Sequence, residues 1–383
     1  MPPTPHNTFN TTGKFLNFLL ISFLLISFSF ACLTYAQEIK SGGHAFKTGD
    51  WLIHYANGPI RRGLAGEIFV AITRYGVHLL WVAYFFQIAF FATVLWVTLR
   101  LYFTKPRSFL WITFLLSPAF LLFSIYDTEG GFRKEIIVFT AFSLLSLAHA
   151  QKKITPIQLM IVGGLFFLGV FSHEIITFTL PYFLYITLLS YRESTIKKST
   201  AIYFGIFLTI TALAGTWFSL NFTGNETTAH MICTALQSYD TDAKICDGAI
   251  LWLGRDAIFG LNTLLTLLEA YIKVYTPLLL LSFAPIFLTN WIKKETIVLT
   301  LGTTVLMLPL YFFALDWGRW IHIQVFFTFC LIFSSHAEIK IKSNVLTGTL
   351  VLLFISTWSM PHCCTLQIGK GLAAQVHQAI AHR

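Results

Sequence analysis

The residues of this chain that could do chemistry gather in four short stretches. The first runs from Asp50 through Asn57-Gly58-Pro59 to Arg61-Arg62-Gly63-Leu64, where turn residues stand beside two adjacent arginines. Guanidinium groups and free backbone amides at such a turn can close on a phosphate. The second, Asp127 to Glu135, carries Arg133 and Lys134 among five charges in nine residues. The third is Ser172-His173-Glu174, a connection so short that His173 and Glu174 must sit at or below a membrane surface. Ionisable groups at that depth are costly and mark function. The fourth, Asp316-Trp317-Gly318-Arg319-Trp320, opens an apolar run. Asp50, His173 and Glu174 are candidates to take a proton from a hydroxyl. Arg61, Arg62, Arg133, Lys134, Asp316 and Arg319 are candidates to hold a phosphate-bearing substrate. Each stretch also has a plain structural reading. The arginines can touch lipid head groups, the second stretch can be a solvated turn, and His173 and Glu174 a helix cap or ion pair. Asp316, at an N-cap position, can pair with Arg319 one turn on.

The elements that must position these residues follow from composition. The chain has 383 residues, of which 56% are hydrophobic and 11% charged, with 39 Phe and a mean hydropathy of +0.70. A soluble domain carries about 25% charged residues, so the expected fold is an all-α, polytopic transmembrane bundle forming one integral-membrane domain over residues 1–383.

Runs near 20 residues long are needed to cross the hydrocarbon layer, and eleven are read. They cover about 15–36, 78–98, 109–126, 135–150, 157–171, 175–191, 200–220, 274–292, 296–315, 320–335 and 344–360. Alternate connections hold 13 of the 26 basic residues against three acidic ones, Glu193, Glu295 and Glu338. Lys and Arg accumulate on the cytoplasmic side, which places the N-terminus inside and the C-terminus outside. The first run is read as a retained anchor, although Thr34-Tyr35-Ala36 loosely resembles a signal-peptide cleavage site. The net charge of +9 is thus a topological signal, and no nucleic-acid partner is expected.

Cytoplasmic connections of about ten residues or fewer cannot house a nucleotide-binding domain, and neither Gly-x-x-x-x-Gly-Lys nor Gly-x-Gly-x-x-Gly occurs. Polar residues concentrate instead in two outer loops, 37–77 and 221–273, and an outer tail, 361–383. Leu64 to Tyr75 reads as a helix on the membrane surface. The stretch 249–275, interrupted by Arg255, Asp256, Asn262 and Glu269, reads as a surface or re-entrant helix. Cys233 and Cys246 are a candidate disulfide on an oxidising face. No resident metal or other cofactor is expected, though a divalent ion is left open. Cys363, Cys364, His377 and His382 offer at most an adventitious metal site.

Taken together, these residues resemble integral-membrane glycosyltransferases of the GT-C class and the related Wzy-type polysaccharide polymerases. The resemblance lies in one span followed by a long outer loop with an early acidic residue, Asp50, then many spans joined by short cytoplasmic turns. It lies also in Arg-Arg-Gly-Leu and Asp-Trp-Gly-Arg-Trp, which look like motifs of membrane proteins from surface-polysaccharide loci. The resemblance implies transfer of a sugar from a polyprenyl-(di)phosphate donor to a glycan acceptor at the outer face of a bacterial inner membrane, in O-antigen or capsule biosynthesis. It would make Asp50 the residue that activates the acceptor, with His173 or Glu174 as rival bases, and Arg61, Arg62, Arg133 and Arg319 the holders of the leaving phosphate. The chain departs from that pattern in lacking an acidic pair in the first loop. It departs also in its outer C-terminus, since Wzy-type polymerases usually keep both termini inside.

Two other classes compete. A transporter or flippase of lipid-linked oligosaccharide would place charges and broken helices near the mid-membrane and carry an internal repeat; no repeat is seen, and the charges sit at one face. A non-catalytic assembly subunit would tolerate Ala at Asp50, Arg61 or Arg62.

Overall fold

The computed structural model describes residues 11–106, 108–255, 257–365 and 367–375. It is helical apart from one two-residue antiparallel pairing, Trp358–Ser359 with Gly369–Lys370. The principal helices are α1 (Thr11–Lys40), α2 (Leu64–Thr73), α3 (Leu79–Tyr102), α4 (Glu135–Ala150), α5 (Pro156–Ser172), α6 (Leu180–Arg192), α7 (Lys198–Asn221), α8 (Glu226–Gln237), α9 (Ala257–Phe283), α10 (Lys294–Phe313), α11 (Trp317–Ser334) and α12 (Val345–Ser356). Among the described residues six helical stretches are long and apolar enough to cross a membrane. They are Phe15–Lys40, Leu79–Tyr102, Glu174–Arg192, Lys198–Asn221, Ile258–Leu288 and Lys294–Phe313. The protein is therefore a multi-pass membrane protein.

Two helices form the centre. Both α4 and α11 are apolar on every side, and almost all their side chains are buried, as expected of a helix that meets protein all round. Phe139 stacks on Phe326 with ring centres 4.1 Å apart, and Phe142 packs on Phe327 at 4.6 Å. Around this pair α3 and α5 pack on α4, and α7 packs on α5. The outer helices turn large apolar side chains outward, among them Phe30, Ile210, Leu213, Leu280 and Val298. That is the arrangement a lipid surround requires.

The structure departs from the sequence reading in three places. The run 109–126 is not one helix. It breaks into helical turns at 109–115 and 123–126 around Leu116-Ser117-Pro118, because Pro118 has no N–H to donate and disfavours helical geometry at Ser117. The broken backbone is enclosed by protein. The Ser117 hydroxyl accepts from the Ala119 N–H at 3.3 Å, and the His322 Nδ1–H donates to the Ala119 carbonyl at 2.9 Å. Irregular backbone at membrane depth survives only when partnered in this way.

Second, the stretch 249–275 is divided differently: a short helix, Ala249–Leu253, is followed by α9, which runs unbroken from Ala257 through Tyr275 into the next span, with Pro277 inside it. Within α9 Lys273 pairs with Glu269 one turn back at 2.5 Å, both side chains exposed. Third, the last helix, α12, is only 12 residues long. The helix read at Leu64 to Tyr75 is present as α2. It lies over the loop at 49–52, and its Glu67 accepts the Tyr55 N–H at 3.1 Å.

Gly66 sets how closely α2 meets this loop: a Cβ there would stand 2.1 Å from the Ile53 carbonyl oxygen. The Gly66→Ala variant should lose about 1–3 kcal/mol of stability, seen as a lower midpoint of thermal unfolding of the detergent-solubilised protein.

Candidate functional site

The four charged stretches meet. They line a cavity of about 630 Å³, whose wall includes Arg61, Arg62, Arg133, His173, Glu174, Asp316 and Arg319. Arg255, Glu129 and His362 add further charged or ionisable groups. The rest of the lining is largely apolar and includes Phe46, Trp252 and Gly260, Leu310 and Phe313 at the end of α10, and Ala314 and Leu315 just after it.

Each charged side chain is placed by a local feature. Arg62 takes a left-handed backbone conformation, φ 68°, which is strained for a residue with a Cβ and is held by its neighbours. Its carbonyl accepts from Lys134 Nζ at 2.8 Å. Its guanidinium grips both oxygens of Glu174, Nε lying 3.0 and 2.9 Å from them. Glu174 is presented by the abrupt end of α5 at His173, where a 3-10 turn begins. Arg61 stands 3.8 Å from the same carboxylate.

Arg319, on the first turn of α11, is the centre of the second group. It donates through Nη1 to Asp316 Oδ2 at 2.8 Å and through Nη2 to Glu135. Its Nη2 also lies 3.3 Å from His173 Nε2. A guanidinium can only donate, so Nε2 of His173 accepts and the ring proton is on Nδ1, 3.7 Å from Glu174 Oε2. The lone pair of Nε2, through which His173 would act as a base, is thereby engaged by Arg319, while the Nδ1–H has no hydrogen-bond partner among the described residues. Asp316 makes the ion pair expected with Arg319; it makes no side-chain cap. Its Oδ1 has no partner among the described residues.

Asp50 is placed differently from the sequence expectation. It does not line the cavity. It is fully buried behind the wall, with Arg133 Nε at 3.4 Å and Lys134 Nζ at 3.9 Å. Burial alone would raise its carboxyl, but Lys134 and then Arg133 outweigh that and hold it well below the ordinary carboxylate range. Its two oxygens make ionic contacts only, with no hydrogen-bond partner among the described residues, and Asp50 is not among the residues that line the cavity. Lys134, also fully buried, is pulled by burial down to about 8 against the attraction of Asp50; it too serves the wall from behind. Arg133 does line the cavity. Its single ionic partner among the described residues is Asp50, and its terminal nitrogens are left for a ligand.

Two contributors are missing from the sequence reading. In the sequence Glu135 is only one more charge in a turn, yet it is buried and pairs with Arg319. His362 lies on a strap, residues 361–365, of which His362 to Thr365 line the cavity. The Gly318 N–H donates to the His362 carbonyl at 3.0 Å, and a Cβ on Gly318 would overlap the Pro361 carbonyl oxygen. The His362 ring donates through Nδ1 to Asp127 at 2.7 Å, and its Nε2 is 3.6 Å from Glu129. Burial would lower this imidazole, but its bonds to Asp127 and Glu129 outweigh that and push it up to about 9.

In the second outer loop Cys233 and Cys246 are disulfide-bonded, as are the adjacent Cys363 and Cys364 on the strap. His377 and His382 lie outside the described residues.

Five guanidinium groups thus face one cavity, against the carboxylates of Glu129, Glu174 and Asp316. Three of the five, on Arg61, Arg133 and Arg255, have no hydrogen-bonding side-chain partner among the described residues; Arg61 and Arg255 stand 3.8 and 3.6 Å from the carboxylates of Glu174 and Glu226. Such an arrangement attracts an anion with several acceptor oxygens, and its apolar lining residues suit a hydrocarbon tail. Comparison of the chain with protein-family models, with curated proteins and with solved structures gives no match.

Arg319 and Glu135 are 3% and 5% exposed, so removing one strands the other's charge, at a cost of about 3–5 kcal/mol. The Arg319→Gln variant should unfold at clearly lower temperature in detergent. The double variant Arg319→Gln/Glu135→Gln should recover part of that loss, and equal melting of the single and double variants would sink the pairing argument.

Proposed function

We propose that the protein is an integral-membrane glycosyltransferase or polysaccharide polymerase that takes its sugar from a polyprenyl-(di)phosphate lipid at the outer face of a bacterial inner membrane. The observation that carries this reading is the mixed lining of the cavity, five arginines together with apolar side chains that include Trp252, Leu310, Phe313 and Leu315. A lipid-linked phosphosugar combines the same two characters. The topology belongs to the same proposal: eleven crossings, with 109–126 crossing as a broken segment enclosed by protein, the N-terminus inside, and every stretch that meets at the cavity outside. The partners are the lipid-linked donor, a glycan acceptor and the surrounding lipids.

In this reading Arg61, Arg133 and Arg255 bind the phosphate, with Arg62 and Arg319 fixed behind them by Glu174, Glu135 and Asp316. The acceptor hydroxyl attacks the anomeric carbon with inversion, the carbon–oxygen bond to phosphate breaks, and the leaving phosphate takes up the negative charge. Cations already aimed at that oxygen stabilise the charge as it develops, without reorganisation. The hydroxyl proton passes to a carboxylate on the cavity wall. Asp316 fits best, because one of its oxygens is free while both of Glu174's are taken by Arg62 and Asp50 is not among the lining residues.

The test is to purify the protein from its own membranes and look by mass spectrometry for a co-purifying polyprenyl-phosphate lipid. The lipid should be present with the native protein and lost with Arg61→Ala/Arg133→Ala. Asp316→Asn should keep the lipid and lower sugar transfer about a hundredfold or more. Absence of the lipid from the native protein, or its retention by the double variant, would overturn the reading.

A further inference from the structure

The strap in the cavity lining holds a second cluster whose chemistry the transfer reaction does not use. Ligand atoms of Asp316, His362 and Cys363 all lie within 4.8 Å of one another. One oxygen of Asp316 is held by Arg319 and the other is free. The His362 ring is held through Nδ1, whose N–H donates to Asp127 at 2.7 Å, with Asp127 itself fixed by the Gly130 N–H at 2.9 Å; this leaves Nε2, 3.6 Å from Glu129, for a ligand. A carboxylate on the far nitrogen of an imidazole is the usual support of a metal-binding histidine, since it sets the tautomer and raises the basicity of the other nitrogen. The backbone of the strap is anchored independently of its cysteine side chains, through Gly318 N–H to the His362 carbonyl and Cys364 N–H to the Tyr271 hydroxyl at 2.9 Å.

One feature of the cluster is switchable. Cys363 is bonded to Cys364, and a disulfide sulfur is a poor metal ligand, whereas a thiolate is a strong one. We propose that Asp316, His362 and Cys363 form a site for a divalent cation of borderline softness, zinc being the natural match, which the Cys363–Cys364 disulfide closes and a dithiol reductant opens.

The chemistry balances. A dithiol reduces the Cys363–Cys364 bond, delivering two electrons and two protons, and is itself oxidised to a disulfide. The cation then displaces the Cys363 thiol proton and the proton on His362 Nε2, and takes the free oxygen of Asp316. One nitrogen, one oxygen and one sulfur leave the fourth tetrahedral position to water. If the transfer reading is right, the cation also occupies the carboxylate oxygen that would receive the acceptor's proton, so metal-loaded protein would be held idle. Metal binding itself does not depend on that reading.

Cobalt(II) added to the purified full-length protein is the probe, because a cobalt–thiolate bond has its own near-ultraviolet absorption. The oxidised native protein should show no such band, and the reduced native protein should show it with one cobalt per chain. Cys364→Ser, which frees Cys363 without touching Cys233–Cys246, should bind cobalt with no reductant present. Cys363→Ser/Cys364→Ser should lose the band whether reduced or not. In the Cys364→Ser background, Asp127→Asn should weaken binding by about ten- to a hundredfold. A band equally strong in the double serine variant would place the metal elsewhere, and its absence from both Cys364→Ser and the reduced native protein would rule the site out. None of these measurements involves sugar transfer, so this proposal and the transferase reading can fail separately.

Discussion

The buried pairing of Arg319 with Glu135 is the constraint on which the rest of the site depends. It joins the first turns of the two central helices, α11 and α4, at the end where the cavity opens. A guanidinium and a carboxylate out of water are each expensive, and their attraction offsets that only when further hydrogen bonds satisfy what remains. Here Asp316 and His173 engage the two terminal nitrogens of Arg319, while its Nε is left without a partner among the described residues. The geometry of His173 is in turn what brings Glu174 to Arg62. One ion pair therefore fixes residues from four distant parts of the chain relative to one another.

A second layer of charge lies behind the first. Asp50 holds Arg133 and Lys134, and Lys134 holds the carbonyl of Arg62 in its left-handed turn. The strain at Arg62 is offset by the grip of Glu174 and Lys134, which explains why an arginine stands where glycine would be at ease. The result is a preorganised wall: the cations are aimed before any ligand arrives, and little reorganisation is left for binding.

How much of this is legible in the sequence depends on whether the signal is local. Long apolar runs need only their own composition, so α1, α3, α7 and α10 are readable to within a few residues. The break at Ser117-Pro118 is readable in principle from Pro118. It hides because the flanking residues are as apolar as any span, and the partner that satisfies the broken backbone, His322, is about two hundred residues away. Of the charges that suggest an interruption in 249–275, Arg255 lies just before α9, between it and a short helix at Ala249–Leu253, whereas Glu269 lies inside α9, paired on its exposed face with Lys273. Among the site residues, Arg61, Arg62, Arg133, His173, Glu174, Asp316 and Arg319 announce themselves by residue type at helix mouths, and all line the cavity. Asp50 announces itself in the same way and yet lies behind the wall, because burial is a property of the packed chain and not of the residue. Glu135 and His362 carry too little local signal: one looks like part of a solvated turn, the other like part of a tail.

The same distinction bears on what the cavity can select. A wall of arginines alone would bind any polyanion, and an apolar groove alone any tail. Specificity arises where the two meet, since a ligand lacking either half leaves buried groups unpartnered, at a cost of roughly 1–3 kcal/mol for each stranded donor or acceptor. The strap adds to that requirement, since its His362, held to Asp127, and its Cys363, Cys364 and Thr365 form part of the same lining. A soluble phosphate could satisfy the cations but would leave the lining formed by Leu310, Phe313 and Leu315 exposed to water. Under the proposed reading an amphipathic phosphate answers both the arginines and the apolar lining at once, so the apolar residues weigh on the choice of ligand as much as the arginines do.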